Sequence, residues 1–269
     1  MGLRKLYKRF VNNRAISKSK QLNIDLELER VYLFPANKVG FANLFERPFK
    51  FHDGKSFVAT YKELFQCDIY KFNASADPSV ILDCGANMGL SVLYFAKNYP
   101  NHTIIAFEPD EIIFDVLKEN VETFKLKNVE LHQKAVWVRP ETLPFYTDGG
   151  MGGRIDNVYK GREPKTIEAI PLLDFLTENV DFLKLDIEGA EDEVLKYCDE
   201  NLKKAKHIFF EYHNNINGPQ TLHELLDLVK RNGFHYYIKE SATRQKPFVD
   251  NTLICESFDM AINVFCYKQ

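Results

Sequence analysis

The feature that most constrains the fold of this chain is the alternation of short β-branched apolar runs with helical stretches, which begins at Ser79. The apolar runs are 80–84, 103–107, 129–136, 181–185 and 207–210. The helical stretches are 89–98, 111–124, 190–197 and 220–232. Strands separated by helices predict an α/β fold with a parallel sheet covered on both faces. The last two apolar runs, 234–239 and 261–267, have no helical period between them and predict an antiparallel hairpin at one edge of the sheet.

The composition is that of a globular protein that can build one large core. Apolar residues make up 45% of the 269 residues, and a chain of this length buries about three quarters of its unfolded surface. No apolar run approaches the roughly 18 residues of a membrane-spanning helix. The net charge of −3 argues against a broad basic surface for nucleic acid. The five cysteines include no C-x-x-C pair and predict reduced thiols in a cytoplasmic protein.

The N-terminal region differs from the rest of the chain in its charge and its aromatic content. Residues 1–20 carry seven basic side chains and no acidic one, and apolar residues recur at helical spacing from Leu3 to Val11. This pattern predicts a basic amphipathic helix that either lies on an anionic membrane surface or packs its apolar stripe on the domain. Residues 30–75 are aromatic-rich and predict an irregular cap. We therefore divide the chain into a helix and cap, 1–75, and a main domain, 76–269.

A glycine-rich segment lies between the third and fourth core strands. Five of the 13 glycines fall within residues 149–161. This composition predicts either a mobile flap beside a functional site or a solvated loop tip.

The sharpest functional motif is the segment 83–89, DCGANMG, which directly follows a strand and precedes a helix. Gly85 permits a tight turn, and Gly89 lets the helix start close to the strand. The next strand ends at Glu108, and a carboxylate at that position can accept hydrogen bonds from ribose hydroxyls. The motif therefore predicts a site for a nucleotide-containing cofactor.

Charged side chains accompany the fourth and fifth core strands. Lys184, Asp186 and Glu188 alternate along one face, and Glu211 and His213 end the next strand. Burying a lysine in a central strand is costly unless a carboxylate accompanies it, and Asp186 is the expected partner of Lys184. Because ligands bind outside the carboxyl ends of such strands, we expect both groups to meet at the functional site.

Three segments together resemble the FkbM-type S-adenosylmethionine-dependent methyltransferases. They are ILDCGANMG at 81–89, AFEP at 106–109 and LKLDIEGAE at 183–191, and the resemblance covers about residues 61–238. It implies a class I methyltransferase fold, which is a Rossmann-like sheet of seven strands with the last one antiparallel. It also implies O-methylation of a small-molecule or glycan acceptor, such as a sugar, a glycolipid precursor or a related natural product.

The resemblance further implies that S-adenosyl-L-methionine is the cofactor and assigns residues to it. The methionine end would contact Asp83, Gly85, Ala86, Asn87 and Gly89. Glu108 would bind the ribose, and Pro109, Asp110 and Ala135 would lie near the adenine.

Methyl transfer to an alcohol requires a group that takes the hydroxyl proton. Asp186 and His213 are the candidate bases, and the ordinary pKa of histidine favours His213 at neutral pH. Lys184 would set the charge of Asp186, and Glu188 or Glu211 would orient the acceptor. In an alternative mechanism, Asp186, Glu188, Glu211 and His213 hold Mg²⁺ or Mn²⁺, and loss of activity in EDTA would support it.

Two other functions are compatible with these motifs. A nicotinamide-dependent oxidoreductase would also use the glycine turn and Glu108. Against it, Asn87 stands where a dinucleotide site usually has glycine, and the chain contains no Tyr-x-x-x-Lys. A non-catalytic scaffold would bind S-adenosylhomocysteine without turning over any hydroxylated acceptor.

Overall fold

The computed structural model describes residues 20–36, 38–75, 77–147, 153–155, 164–250 and 258–268. A seven-stranded sheet lies at its centre. In spatial order its strands are β12 (His235–Ala242), β13 (Phe258–Tyr267), β11 (Ala205–Asn215), β10 (Val180–Leu185), β3 (Val80–Cys84), β4 (Thr103–Phe107) and β5 (Val129–His132). Neighbours from β11 to β5 are parallel, and β13 is antiparallel to both of its neighbours. The predicted class I methyltransferase sheet, with seven strands and an antiparallel last strand, is confirmed.

The two final strands pair as an antiparallel hairpin at the edge of the sheet, as predicted. Within this hairpin, β13 lies between β11 and β12, and β12 is the edge strand. This order follows from burial, because Val264 and Cys266 of β13 are almost fully buried, whereas nearly every residue of β12 is exposed. The more apolar strand therefore occupies the inner position.

Four helices cover the two faces of this sheet. α3 (Leu90–Asn98) and α4 (Glu111–Phe124) pack on one face, and α5 (Glu191–Cys198) and α6 (Leu222–Arg231) pack on the other. Short 3₁₀ segments at Leu172–Phe175 and Asp199–Lys204 accompany the second pair. Successive strand residues point to opposite faces, so Phe209 joins the core under α3 while Phe210 joins the core under α5.

The N-terminal part packs on the α3 face. It contains α1 (20–32), β1 (Gly40–Ala42), β2 (Phe49–Phe51), α2 (Gly54–Tyr61) and a π-helical turn (Lys62–Gln66). Phe49, Phe51 and Phe57 are fully buried in the same hydrophobic cluster as Ile81 of the sheet. The aromatic residues of the predicted cap thus form part of the core. The predicted basic helix at 1–20 lies almost entirely outside the described residues.

A second sheet of four strands was not predicted. Its order is β6 (Ala135–Trp137), β9 (Lys165–Pro171), β7 (Glu141–Thr147) and β8 (Gly153–Ile155). The predicted single strand at 129–136 is wrong, because the chain leaves the main sheet at His132 and Ala135 pairs with Ala169 instead. Most of the glycine-rich segment 149–161 lies outside the described residues, so the flap stays a prediction.

Among the described residues, no helix is long and apolar enough to cross a membrane. Cys84, Cys198 and Cys266 are buried free thiols, and Cys67 is an exposed one. Cys255 lies outside the described residues.

Candidate active site

The glycine turn at 85–89 joins β3 to α3 with three residues in the left-handed region. Gly85 has φ 84°, Asn87 has φ 48° and Gly89 has φ 91°. A Cβ on Gly85 would lie 1.8 Å from the carbonyl oxygen of Asp186, so only glycine lets β3 and β10 approach this closely. Asn87 fits because asparagine adopts the left-handed region more readily than most residues.

Glu108 ties this turn to the start of α4. Its two carboxylate oxygens accept hydrogen bonds from the backbone N–H groups of Asn87 and Asp110, each at 3.0 Å. The side chain is buried, and burial raises the pKa of Glu108 to about 7. Asp110 in turn caps α4 by accepting hydrogen bonds from the backbone of Ile112 and Ile113. Glu108 is therefore a fixed acceptor at the rim of the turn.

Lys184 lies beneath the turn and connects β3 to β10. Its ammonium donates a hydrogen bond to the carbonyl oxygen of Gly85 at 2.8 Å. It also lies 3.4 Å from a carboxylate oxygen of Asp186, the expected partner, and 3.4 Å from one of Asp83. Burial lowers the pKa of Lys184, but the charges of Asp186 and Asp83 outweigh it and hold the pKa above its usual value. Lys184 is therefore a permanent cation that fixes both carboxylates.

His213 lies at the centre of the second group of charges. Its Nδ1 is 3.2 Å from Glu191 Oε1, and its Nε2 is 3.7 Å from Glu188 and 3.8 Å from Glu211 carboxylate oxygens. Glu191 also accepts hydrogen bonds from the backbone N–H groups of Ile187 and Gly189, both at 2.9 Å. Sequence reasoning missed Glu191 as a site residue. Its position in the first turn of α5, three residues after Glu188, was the available signal.

The protonation of this group differs from that of free side chains. Burial lowers the pKa of His213, but the charges of Glu191, Glu188 and Glu211 outweigh it and keep the pKa well above its usual value. Burial, together with the charge of Asp186, raises the pKa of Glu211. The pKa of His213 thus differs from the ordinary histidine value on which its assignment as the base was argued, and that assignment stays a prediction.

One cavity of about 940 Å³ joins the glycine turn to this charged group. The predicted site residues that line it are Gly85, Ala86, Asn87, Glu108, Pro109, Asp110, Ala135, Lys184, Asp186, Glu188, Glu211 and His213. Asp83 and Gly89 are not among its lining residues: Asp83 is fully buried against Lys184, and Gly89 packs on Leu117. Tyr32, Lys55 and Glu63 of the N-terminal part also line the cavity.

The sequence matches the family described as Methyltransferase FkbM domain over residues 83–236, which is more than half of the chain. The chain belongs to the FkbM methyltransferase family. This family match gives no support to a nicotinamide-dependent oxidoreductase.

Individual relatives of the FkbM chain are distant. Methyltransferase 1 of Beauveria bassiana (strain ARSEF 2860) is 28% identical over 165 residues, covering 52% of this chain and 66% of that protein, just under two thirds of its length. The 2-O-methyltransferase NoeI of Sinorhizobium fredii (strain NBRC 101917 / NGR234) is 28% identical over 176 residues, covering 57% of this chain and 71% of that protein. Among solved structures, M. jannaschii TYW2 in complex with AdoMet is 13% identical with a TM-score of 0.45, covering 88% of this chain and 90% of that chain.

Proposed function

We propose that the protein transfers the methyl group of S-adenosyl-L-methionine to a hydroxyl oxygen of a sugar, a glycan or glycolipid precursor, or a related natural product. The observation that carries this proposal is the single cavity shared by the glycine turn, Glu108 and the carboxylates of Asp186 and Glu211. A cofactor site and a proton acceptor for an alcohol thus meet in one space. The name of the relative NoeI, a 2-O-methyltransferase, supports oxygen as the acceptor atom.

At the cofactor end, the backbone of Gly85, Ala86 and Asn87 forms a wall without bulky side chains. Glu108 is the fixed carboxylate beside this wall and is proposed to accept hydrogen bonds from the two ribose hydroxyls. Pro109, Asp110 and Ala135 line the adjoining part of the cavity, where the adenine is proposed to bind. We propose that Asp83 and Gly89 shape the cofactor site without contacting the cofactor. Asp83 neutralises the charge of Lys184, and Gly89 allows α3 to pack closely on Leu117.

At the acceptor end, the chain aligns the hydroxyl and removes its proton. S-adenosylmethionine supplies a methyl group on a sulfonium, and the transfer is an in-line displacement in which the electron pair of the C–S bond returns to sulfur. Alignment of the acceptor oxygen by the cavity walls contributes up to about 7–11 kcal/mol to such a step. The hydroxyl proton passes to one of the three carboxylates of Asp186, Glu188 and Glu211. These carboxylates are the proton acceptors because His213 and Lys184 are already protonated.

The charge of the bound sulfonium reinforces this assignment. A cation near a carboxyl favours its ionised form, so a bound sulfonium would lower the raised pKa of Glu211. His213 and Lys184 then hold the carboxylates in place and accept no proton.

A transfer assay with labelled cofactor tests the proposal against sugars, nucleotide sugars and glycolipids. We expect label on a hydroxyl oxygen of one acceptor class, and a loss on the order of 10²-fold or more in turnover for Asp186→Asn and Glu211→Gln. Affinity for S-adenosylhomocysteine should stay within a few-fold in both variants, because a base acts only in the transition state. The exposed Asp227→Asn on α6 serves as the matched control. Cofactor binding without transfer to any hydroxylated acceptor would instead support the alternative that the protein is a non-catalytic, cofactor-binding scaffold.

The cellular setting is also a proposal. The buried thiols of Cys84, Cys198 and Cys266 support a reducing compartment such as the cytoplasm. The seven basic residues among 1–20 support peripheral contact with anionic membrane, where glycolipid acceptors would be reached.

A further inference from the structure

We propose that Asp186, Glu211 and His213 bind one divalent cation of the Mn²⁺ class, and that this cation holds the acceptor through a hydroxyl oxygen. The inference rests on the proposed function, because it places the cation beside the acceptor of that same reaction. Two carboxylates and one imidazole are suitable ligands for Mn²⁺, which accepts both oxygen and nitrogen donors. A histidine ligand is neutral, so binding of the cation displaces the proton that His213 Nε2 carries in the cation-free protein.

The spacing of the three side chains suits one ion. One ligand atom from each residue can be chosen so that all three lie within 4.8 Å of one another. Ligands about 2.1 Å from a central ion are separated by about 3 Å when adjacent and about 4 Å when opposite. The distance of 3.8 Å between His213 Nε2 and Glu211 Oε2 falls within this range. Adjacent parallel strands produce the arrangement, because Asp186 directly follows β10 while Glu211 and His213 share one face of β11.

The orientation of His213 is an independent observation that points to a ligand. Glu191 lies 3.2 Å from Nδ1 and is itself held by two backbone N–H groups, so the ring is fixed with Nε2 toward Asp186 and Glu211. The His213 side chain is only 8% exposed, and Nε2 faces carboxylate oxygens of Glu188 and Glu211 at 3.7 Å and 3.8 Å, which are beyond hydrogen-bond distance. Phe258 packs against the ring at 5.1 Å between centroids. A carboxylate behind a histidine whose other nitrogen points into a cavity is the usual outer shell of a metal ligand.

The charges that face the cavity leave room for an additional cation. Asp186, Glu188, Glu211 and Glu191 supply four carboxyl groups around His213, and Glu63 approaches Asp186 from the N-terminal part. Lys184 is shared between Asp83, Asp186 and the Gly85 carbonyl. Burial raises the pKa of Glu63, and the positive charge of Lys239 on β12 partly opposes that increase. Negative charge therefore remains in excess beside the acceptor end of the cavity.

A cation at this position gives the acceptor a defined geometry. Three protein ligands leave three of six octahedral positions, so two neighbouring hydroxyl oxygens of a vicinal diol can bind side by side. Coordination weakens the O–H bond of the reacting hydroxyl. Its proton passes to Glu188, its oxygen forms the new bond to the methyl carbon, and the electron pair of the broken C–S bond goes to sulfur. The inference thus narrows the acceptor class to compounds with adjacent hydroxyls.

Titration of the EDTA-treated full-length protein with Mn²⁺, followed by the electron paramagnetic resonance signal of free Mn²⁺, tests the site. We expect one saturable equivalent, at least tenfold weaker binding in Asp186→Asn and in His213→Ala, and a tenfold to hundredfold loss in Glu191→Gln, which acts through His213. The control Asp227→Asn removes an exposed carboxylate of α6 outside the cavity and should bind Mn²⁺ as the unaltered protein does. Absence of saturable binding, or an equal loss in Asp227→Asn, would overturn the inference.

Affinity for S-adenosylhomocysteine, measured in EDTA on the same proteins, separates this inference from the proposed function and reports whether each variant folds. Retained affinity with methyl transfer that is lost in EDTA and restored by Mn²⁺ supports both. Retained affinity with EDTA-resistant transfer refutes the cation and leaves the methyltransferase proposal standing. No affinity for S-adenosylhomocysteine in the unaltered protein refutes the proposed function whether or not Mn²⁺ binds.

Discussion

Gly85→Ala and Gly233→Ala form a matched pair that isolates the close approach of β3 and β10. Both glycines have nearly the same left-handed conformation, φ 84° and φ 85°. A Cβ on Gly233 would meet no atom within 4 Å, whereas a Cβ on Gly85 would lie 1.8 Å from the carbonyl oxygen of Asp186. The left-handed backbone alone costs an alanine about 1–2 kcal/mol. Gly233→Ala should therefore lower the free energy of unfolding by about 1 kcal/mol, since alanine also loses less entropy on folding.

Gly85→Ala adds a displacement of backbone to that cost. A carbon atom contacts a carbonyl oxygen at about 3.3 Å, so the Asp186 carbonyl must move by about 1.5 Å. This movement breaks the hydrogen bond from Asp186 N–H to the Cys84 carbonyl and disturbs the one from Lys184 to the Gly85 carbonyl. Two such bonds, one of them charged, contribute about 2–4 kcal/mol.

Urea denaturation followed by circular dichroism should therefore show a loss about 3 kcal/mol larger for Gly85→Ala than for Gly233→Ala. Titration with S-adenosylhomocysteine should show reduced affinity only in Gly85→Ala. Equal destabilisation of the two variants, with equal cofactor affinity, would refute the claim that this contact shapes the site.

Three further perturbations test other parts of the account. Asp181 accepts hydrogen bonds from Ser75, His102 and Lys206; although burial raises its pKa, these bonds outweigh it and hold the pKa well below the usual value. Asp181→Asn should lower the free energy of unfolding by about 3–5 kcal/mol at pH 7. This difference from the unaltered protein, measured by urea denaturation, should shrink below about pH 4, because a carboxyl with a lowered pKa stabilises the fold only while it is ionised. Asn120 bonds to both backbone groups of Lys50 and to the Met88 carbonyl, so Asn120→Ala should lower the thermal unfolding midpoint by several degrees, corresponding to about 2–3 kcal/mol; an unchanged midpoint would mean that these bonds contribute nothing net. The full-length protein should float with anionic vesicles at low salt, and a truncated variant starting near residue 24 should not; equal flotation would assign the basic segment a packing role.

The sequence predicted those elements whose boundaries depend on local chemistry. The helix predicted at 111–124 is α4, because Asp110 caps its start and Lys125 ends it in the left-handed region. The second sheet was missed because its strands carry only weak local signals: β7 contains Pro144, and the alternation in β9 is short, with Glu168 exposed between the buried Ile167 and Ala169. Their pairing depends on contacts between distant segments.

In the candidate site, too, the features that depend on contacts between distant segments could not be predicted from sequence. Lys184 and Asp186 could be paired from sequence because a buried lysine needs a carboxylate nearby. The protonation of His213 could not be predicted, because it depends on how close Glu188, Glu191 and Glu211 lie in space. Glu191 contributes most to that charge and belongs to a helix, not to either strand that carries the predicted group.

Calorimetric titration with S-adenosylhomocysteine as a function of pH tests the central claim that this cavity is a cofactor site built on Glu108. The ionised carboxylate accepts the ribose hydroxyls, and burial raises the pKa of Glu108 to about 7 in the free protein. Affinity should therefore increase by up to about tenfold per pH unit below pH 7 and level off above it. Glu108→Gln should bind far more weakly and without this pH dependence. Affinity that is independent of pH and unchanged in Glu108→Gln would contradict the account.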